Sequence, residues 1–416
     1  MKESSPVTIY HKYGLKIMSI ISTRLNSIKP SPTLAVVKKT LELKRAGIDI
    51  IALGAGEPDF DTPDNIKEAA IKAIKDGFTK YTNVEGMPLL KQAIKDKFKR
   101  ENNIDYELDE IIVSTGGKQV IYNLFMASLD KGDEVIIPAP YWVSYPDMVA
   151  LSTGTPVFVN CGIENNFKLS AEALERSITD KTKWLIINSP SNPTGASYNL
   201  EELENIAKVL RKYSQVNVMS DDIYEHITFD GFKFYTLAQI ASDLKERIFT
   251  VNGVSKAYSM TGWRIGYGVG SKALIKAMTI IQSQSTSNPC SISQMAAIEA
   301  LNGPQDYIKP NALNFQKKRD LALSILKRVK YFECYTPEGA FYLFVKCDKI
   351  FGHKTKSGKI IANSNDFAEY LLEEAKVAVV PGIAFGLEGY FRISYATSIE
   401  ELEEACIRIE KACILV

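Results

Sequence analysis

Four short segments of this chain each end an apolar run with side chains that can do chemistry. Ser114-Thr115-Gly116-Gly117-Lys118 follows EIIV and opens the helical stretch QVIYNLFMASL. Unpaired backbone N–H groups and the helix dipole at such a turn make a seat for an anion, although strand–Gly-Gly–helix turns also occur without a ligand. Asn188-Ser189-Pro190-Ser191-Asn192-Pro193-Thr194-Gly195 follows WLII. Asn, Pro and Gly dominate ordinary turns; the same residues can also form a rigid loop that presents the Asn192 amide to a ligand. Ser220-Asp221-Asp222-Ile223-Tyr224 ends a strand in adjacent carboxylates, with a phenol shortly after. Alone, that pair reads as a helix cap or a metal ligand. In the fourth segment, Lys256 closes the run FTVNGVS and Arg264 follows within a glycine-rich return. An isolated lysine is ordinarily a solvated surface residue, so Lys256 gains meaning only in company with the other three segments.

That company exists. SNPTG, SDDIYEH, SKAYSMTGWRIGY and YFRISYAT, in this order and at these spacings, resemble the class I aminotransferase family of pyridoxal 5'-phosphate (PLP) enzymes; the GGKQ, PYWVSYP, SQSTSNP and SYATS segments are similar within it to the bacterial aspartate/prephenate subgroup. The resemblance runs from about Ser22 to Ile409. It implies that Lys256 holds PLP as a Schiff base and then serves as general base and acid at the substrate Cα. It implies that Asp221 pairs with the pyridinium nitrogen, that Asn192 and Tyr224 bond the ring hydroxyl, and that Trp142 stacks on the ring face. Arg264 would grip the phosphate with the backbone of Gly117 and Lys118, and Tyr81 would reach it from the other subunit of a homodimer. Arg392 would clamp the substrate α-carboxylate by a two-pronged contact, Gly56 would leave room for that carboxylate, and Trp142 and Asn192 would flank it. Lys118 would meet the distal carboxylate of a dicarboxylic substrate, and Lys29 in IKPSPT occupies a position associated with prephenate use.

The implied reaction exchanges amino acids and 2-oxo acids, L-aspartate with 2-oxoglutarate giving oxaloacetate and L-glutamate, with prephenate as a further acceptor. The same Lys-Asp-Arg set serves aromatic and alanine aminotransferases and C–S lyases, so these motifs specify the cofactor more firmly than the outcome. One departure stands out. Many relatives carry a phosphate-binding serine two or three residues before the lysine, where this chain has Val254 and Gly253.

Residues of this kind need a frame. EIIVST, DEVIIPAP, TPVFVN, KWLIINS, VNVMSDD, RIFTVNGVS and WRIGYGVG alternate with helical stretches, which predicts an α/β fold with a mostly parallel sheet covered by helices. Functional residues then belong at the carboxyl ends of the strands. The resemblance implies a seven-stranded sheet of the fold type I of PLP-dependent transferases. After about Leu301 a long charged helix, YFECYTPEGAFYLFVKC, AVVPG and YFRISYAT read as a smaller α+β domain. The expected organisation is an N-terminal extension over 1–17, a segment 18–60 associated with the small domain, a large PLP-binding domain over 61–300 and the small domain over 301–416.

Composition narrows the function classes. The chain has 416 residues, enough for two or three domains at roughly 150 residues each. Fifty basic and forty-nine acidic side chains leave a formal charge of +1, which gives no general attraction to nucleic acid or anionic lipid. No apolar run approaches the roughly 18 residues needed to span a bilayer, and the N-terminus lacks a signal-peptide pattern, so a cytoplasmic protein is expected. Six scattered cysteines and three distant histidines support neither a disulfide framework nor a metal site. Gly262, Gly266, Gly268 and Gly270 do not form a GxGxxG fingerprint opening a helix, so a nucleotide-binding protein is the weaker reading.

Overall fold

The computed structural model describes residues 20–28 and 32–415; the N-terminal extension expected over 1–17, and Lys29, lie outside the described residues. The first helix, α1 (Pro32–Arg45), is followed by a two-residue strand, β1 (Ile51–Ala52), and by helices α2 (Asp64–Lys75) and α3 (Pro88–Asn102). Then comes the strand–helix alternation expected from the apolar runs: β2 (Ile111–Ser114), α4 (Gly117–Ser128), β3 (Glu134–Ala139), α5 (Tyr145–Leu151), β4 (Thr155–Asn160), β5 (Thr182–Asn188), β6 (Asn217–Asp221), β7 (Ile248–Gly253) and β8 (Gly266–Val269).

These seven strands form one sheet in the order β2-β8-β7-β6-β5-β3-β4. Only β8 runs against its neighbours; the remaining pairs are parallel. A parallel sheet buried on both faces requires continuous apolar strands, which explains why WLII in β5 is hydrophobic throughout. Leu185 and Ile187 enter the core on one face, Trp184 and Ile186 the core on the other. The edge strand β4 is only half covered and alternates in exposure.

A second, antiparallel sheet is built from β9 (Glu333–Cys334), β10 (Tyr342–Lys346), β12 (Val380–Pro381) and β13 (Tyr390–Ser394), with β11 (Val377–Ala378) beside it pairing in parallel with β1. Phe341, Leu343, Val345, Phe391 and Ile393 bury against the helix Ile308–Leu326, making a core separate from those of the large sheet. Strand β1 thus takes up only two residues of the apolar run DIIAL and pairs with the carboxyl-terminal half of the structure.

Candidate functional site

The carboxyl ends of β5, β6 and β7 and the amino end of α4 open on one cavity of about 470 Å³. Gly56, Gly117, Lys118, Trp142, Asn192, Asp221, Tyr224, Lys256, Arg264 and Arg392 all contribute to its wall. Tyr81 does not: it is 92% exposed and stands outside the cavity of its own chain. Lys29 falls outside the described residues.

Lys256 lies beyond the end of β7 rather than on it, in the turn leading to Arg264. Its amine donates to the Gly56 carbonyl at 2.5 Å. Burial, followed by repulsion from Arg392 and Arg264 and opposed by Glu57, brings its pKa down to about 8. A lysine amine poised this way loses its proton far more readily than one in water, as a nucleophilic lysine must.

Asp221 is the last residue of β6. Burial raises its carboxyl to about 6, against the hydrogen bond it accepts from the Tyr145 hydroxyl at 2.6 Å. A cation placed against this carboxylate would reverse the penalty. Asp222 points away from the cavity, accepts from Ser220 Oγ at 2.7 Å and is pushed by burial to about 7. Register alternation along the strand end thus separates two chemically identical neighbours. Asn188 links the SNPTG loop to β6, donating to the Asp221 carbonyl at 2.8 Å and accepting from the Asn192 N–H at 2.8 Å.

Arg264 adopts a left-handed backbone conformation, φ 57°, which folds its guanidinium back against Gly116 at the amino end of α4. Two glycines permit this approach. A Cβ at Gly116 would fall 2.3 Å from Arg264 Nη2, and one at Gly266 would fall 2.2 Å from the Gly117 nitrogen. The first N–H groups of α4 have no intrahelical partner, so helix terminus and guanidinium together form an anion seat. Ser255, adjacent to Lys256, also lines the cavity, so a hydroxyl is present there despite Val254 and Gly253.

Arg392, on β13, is fully enclosed. Its Nη1 donates to Asn192 Oδ1 at 2.9 Å and its Nη2 to the Gly54 carbonyl at 2.7 Å, while the rings of Tyr342 and Phe385 cover it at 4.7 and 4.9 Å. No carboxylate pairs with it among the described residues, and its buried Nε has no partner at all. An enclosed cation left so is unfavourable unless an anion is delivered to it. Lys118 lies with its ammonium 5.0 Å from the Trp142 ring, its pKa lowered by burial and then by Arg264. The wall therefore carries four cations, Lys118, Lys256, Arg264 and Arg392, against the carboxylates Glu57 and Asp221. Such an excess suits contents with several negative charges.

Sequence reasoning missed Tyr145, Asn188, Tyr342 and Phe385. Tyr145 stands at a helix start and Asn188 at a strand end, where they could have been singled out; Tyr342 and Phe385 read as core aromatics. Away from the cavity, Glu101, Glu225 and His226 have the spacing of a metal site, but the Lys97 ammonium already pairs with both carboxylates.

A lysine just past one strand end, an aspartate at the next and two arginines around the same cavity are those of an aminotransferase, and the chain belongs to the aminotransferase class I and II family, which matches residues 48–409. It is 97% identical over 396 residues to a probable aspartate/prephenate aminotransferase of Rickettsia felis, covering 95% of this chain and 97% of that one. The crystal structure of the aspartate aminotransferase from Rhizobium meliloti superimposes with a TM-score of 0.93 at 53% identity, covering 96% of this chain and all of that one. The aspartate aminotransferase of Thermus thermophilus with maleate does so with a TM-score of 0.89 at 43% identity, covering 95% and 100%. No helix among the described residues is long and apolar enough to cross a membrane.

Proposed function

We propose that the chain is a PLP-dependent aspartate aminotransferase, converting L-aspartate and 2-oxoglutarate to oxaloacetate and L-glutamate, and that prephenate is a second amino acceptor. The observation that carries the reading is the enclosed, unpaired guanidinium of Arg392 opening on the same cavity as the amine of Lys256. The names of the relatives support the choice of substrates. Incubation with L-aspartate and 2-oxoglutarate tests it: oxaloacetate and L-glutamate in equal amounts are expected, whereas a C–S lyase would leave this pair unconverted and instead hydrolyse L-cystathionine to homocysteine, pyruvate and ammonia. Arogenate formed from prephenate tests the second acceptor.

The residues present fit PLP. The anion seat of Arg264, Gly117 and Lys118 would hold the phosphate, Asp221 would pair with the ring nitrogen, and Trp142 would cover the ring; all of them line the one cavity. Because Asn192 Oδ1 is taken by Arg392, its amide N–H groups remain for the ring hydroxyl, alongside the Tyr224 hydroxyl. Bound there, PLP supplies an electron sink for the pair left when the substrate Cα–H bond breaks. Arg392 holds the α-carboxylate and so orients that bond toward Lys256. Lys256 would take the proton from Cα and deliver it to C4' of the bound cofactor. Asp221, held by Tyr145 and by a loop anchored through Asn188, keeps the ring nitrogen protonated.

Asp221→Ala is expected to weaken PLP retention and slow proton transfer by at least about 100-fold, with Asp222→Ala much the milder change. Spectrophotometric titration with PLP checks both; a more damaging Asp222→Ala would show that the wrong carboxylate has been assigned. For Lys118, a second substrate carboxylate needs a cation, and one charge-assisted contact is worth roughly 1.5–3 kcal/mol, about ten- to a hundredfold. Lys118→Ala should therefore lower kcat/KM for aspartate far more than for phenylalanine. An unchanged ratio would remove Lys118 from substrate selection.

We also infer a homodimer with shared active sites. Tyr81 is exposed beside a stretch from α2 to the start of α3 that presents Ile71, Ile74 and Leu89 to solvent, a suitable face for a second copy. Light scattering at micromolar concentration should give twice the chain mass.

A further inference from the structure

Behind Tyr224 stands a second phenol. Tyr342, on β10, places its Oη 2.7 Å from Tyr224 Oη, and both residues are buried while contributing to the cavity wall. Neither hydroxyl has another hydrogen-bond partner among the described residues. Two hydroxyls carry two protons, and the bond between them uses one. The other proton is left to seek an acceptor in the cavity. Burial raises the pKa of both phenols, well above the ordinary value for Tyr224, so both keep their protons. The Tyr342 ring also stacks on the Arg392 guanidinium at 4.7 Å. One side chain thus touches the residue that grips the substrate carboxylate and the residue that faces the cofactor.

We propose that Tyr342 is a positioning residue whose hydroxyl donates to Tyr224 and so turns the Tyr224 proton into the cavity, while its ring braces Arg392. The inference rests on the reading above, in which Tyr224 donates to the ring hydroxyl of PLP. An ionised ring oxygen is an acceptor, so a donor has to face it. Of the two directions for the bond between the phenols, only donation from Tyr342 leaves Tyr224 with its own proton free. A hydrogen bond accepted at the Tyr224 oxygen also polarises its O–H and strengthens the outgoing bond. The ring contribution is separate, because a cation over an aromatic face depends on the ring and not on its hydroxyl.

The test uses the PLP-loaded wild type and the variants Tyr342→Phe, Tyr224→Phe, their double variant and Tyr342→Leu. The readouts are the pH midpoint of the cofactor's absorbance change and the affinity for the dicarboxylate maleate. Losing Tyr342's support should destabilise the ionised ring oxygen and raise the midpoint in Tyr342→Phe by about half to one pH unit. If Tyr342 acts through Tyr224, the double variant titrates like Tyr224→Phe alone. Maleate affinity should stay within about twofold in Tyr342→Phe, which keeps the ring, and fall about tenfold in Tyr342→Leu, which does not. Superimposable titrations of wild type and Tyr342→Phe overturn the inference alone. So does a double variant whose shift is the sum of the two single shifts. Weakened maleate binding in Tyr342→Phe with an unmoved midpoint also overturns it, by assigning the hydroxyl to the substrate. A wild type that takes up no PLP overturns the underlying reading and the inference with it.

Discussion

Lys256→Ala is expected to lower turnover by more than about 10⁴-fold, because the change removes both the covalent attachment for PLP and the proton carrier, and general acid–base catalysis alone contributes 10²–10⁴. The other cavity lysine, Lys118, stands beside Trp142 at the amino end of α4 and cannot take the place of Lys256. Single-turnover absorbance with L-aspartate checks this, and a variant with wild-type turnover would sink the assignment. The same substitution carries a stability signature of opposite sense. In the cofactor-free protein the amine has a pKa of about 8, against an ordinary 10.5. Between those values the unfolded chain holds a proton that the folded chain has lost, so stability rises with pH across that window. At lower pH both states are protonated and the folded state bears the full penalty of a buried ammonium. Thermal unfolding of the cofactor-free protein should show this rise between about pH 8 and 10.5, and Lys256→Ala should flatten it.

The second large effect is expected at Arg392. Arg392→Lys keeps the charge but loses the planar fork, the stacking between Tyr342 and Phe385, and at least one of the contacts to Asn192 and Gly54. With charge-assisted bonds worth roughly 1.5–3 kcal/mol each, kcat/KM for aspartate should fall about 10²- to 10³-fold. A merely structural arginine would behave differently. Breaking a buried ion pair typically costs about 3–5 kcal/mol, but Arg392 has no carboxylate partner among the described residues, so Arg392→Met should change the Tm by less than about 5 °C. Steady-state kinetics and calorimetry on the two variants separate the cases. A lysine variant within tenfold of wild type, or a methionine variant that no longer folds, would move Arg392 from the substrate to the scaffold.

The two assignments differ in how they could be reached. Lys256, Asp221 and Asn192 were legible because each follows an apolar run, and the ends of parallel strands converge on one side of a sheet. Gly116-Gly117-Lys118 was legible for a similar local reason, since the chain must turn from β2 into α4 there. Sequence periodicity likewise set the order of strands and helices, and the continuous hydrophobicity of WLII marked a strand covered on both faces. What sequence alone left open was the choice between Asp221 and Asp222 in the absence of family resemblance. That choice depends on which side chain faces the cavity and which faces Ser220.

Only the tertiary structure decided the partners. Arg392 meets Asn192 across 200 residues and Gly54 across 338, and Tyr342 meets Tyr224 across 118. Contacts at such separations leave no local pattern, because helix and strand periodicities report which face of an element is covered and not what covers it. Tyr342 and Phe385 carry the composition of ordinary core residues, and it is their position on either side of a guanidinium that gives them a role. The isolation of Arg392 is a property of its surroundings as well. Its residue type and motif identify an arginine, whereas burial without a carboxylate partner, which makes that arginine wait for an anion, exists only once β13 has been brought against the Asn192 loop and Gly54.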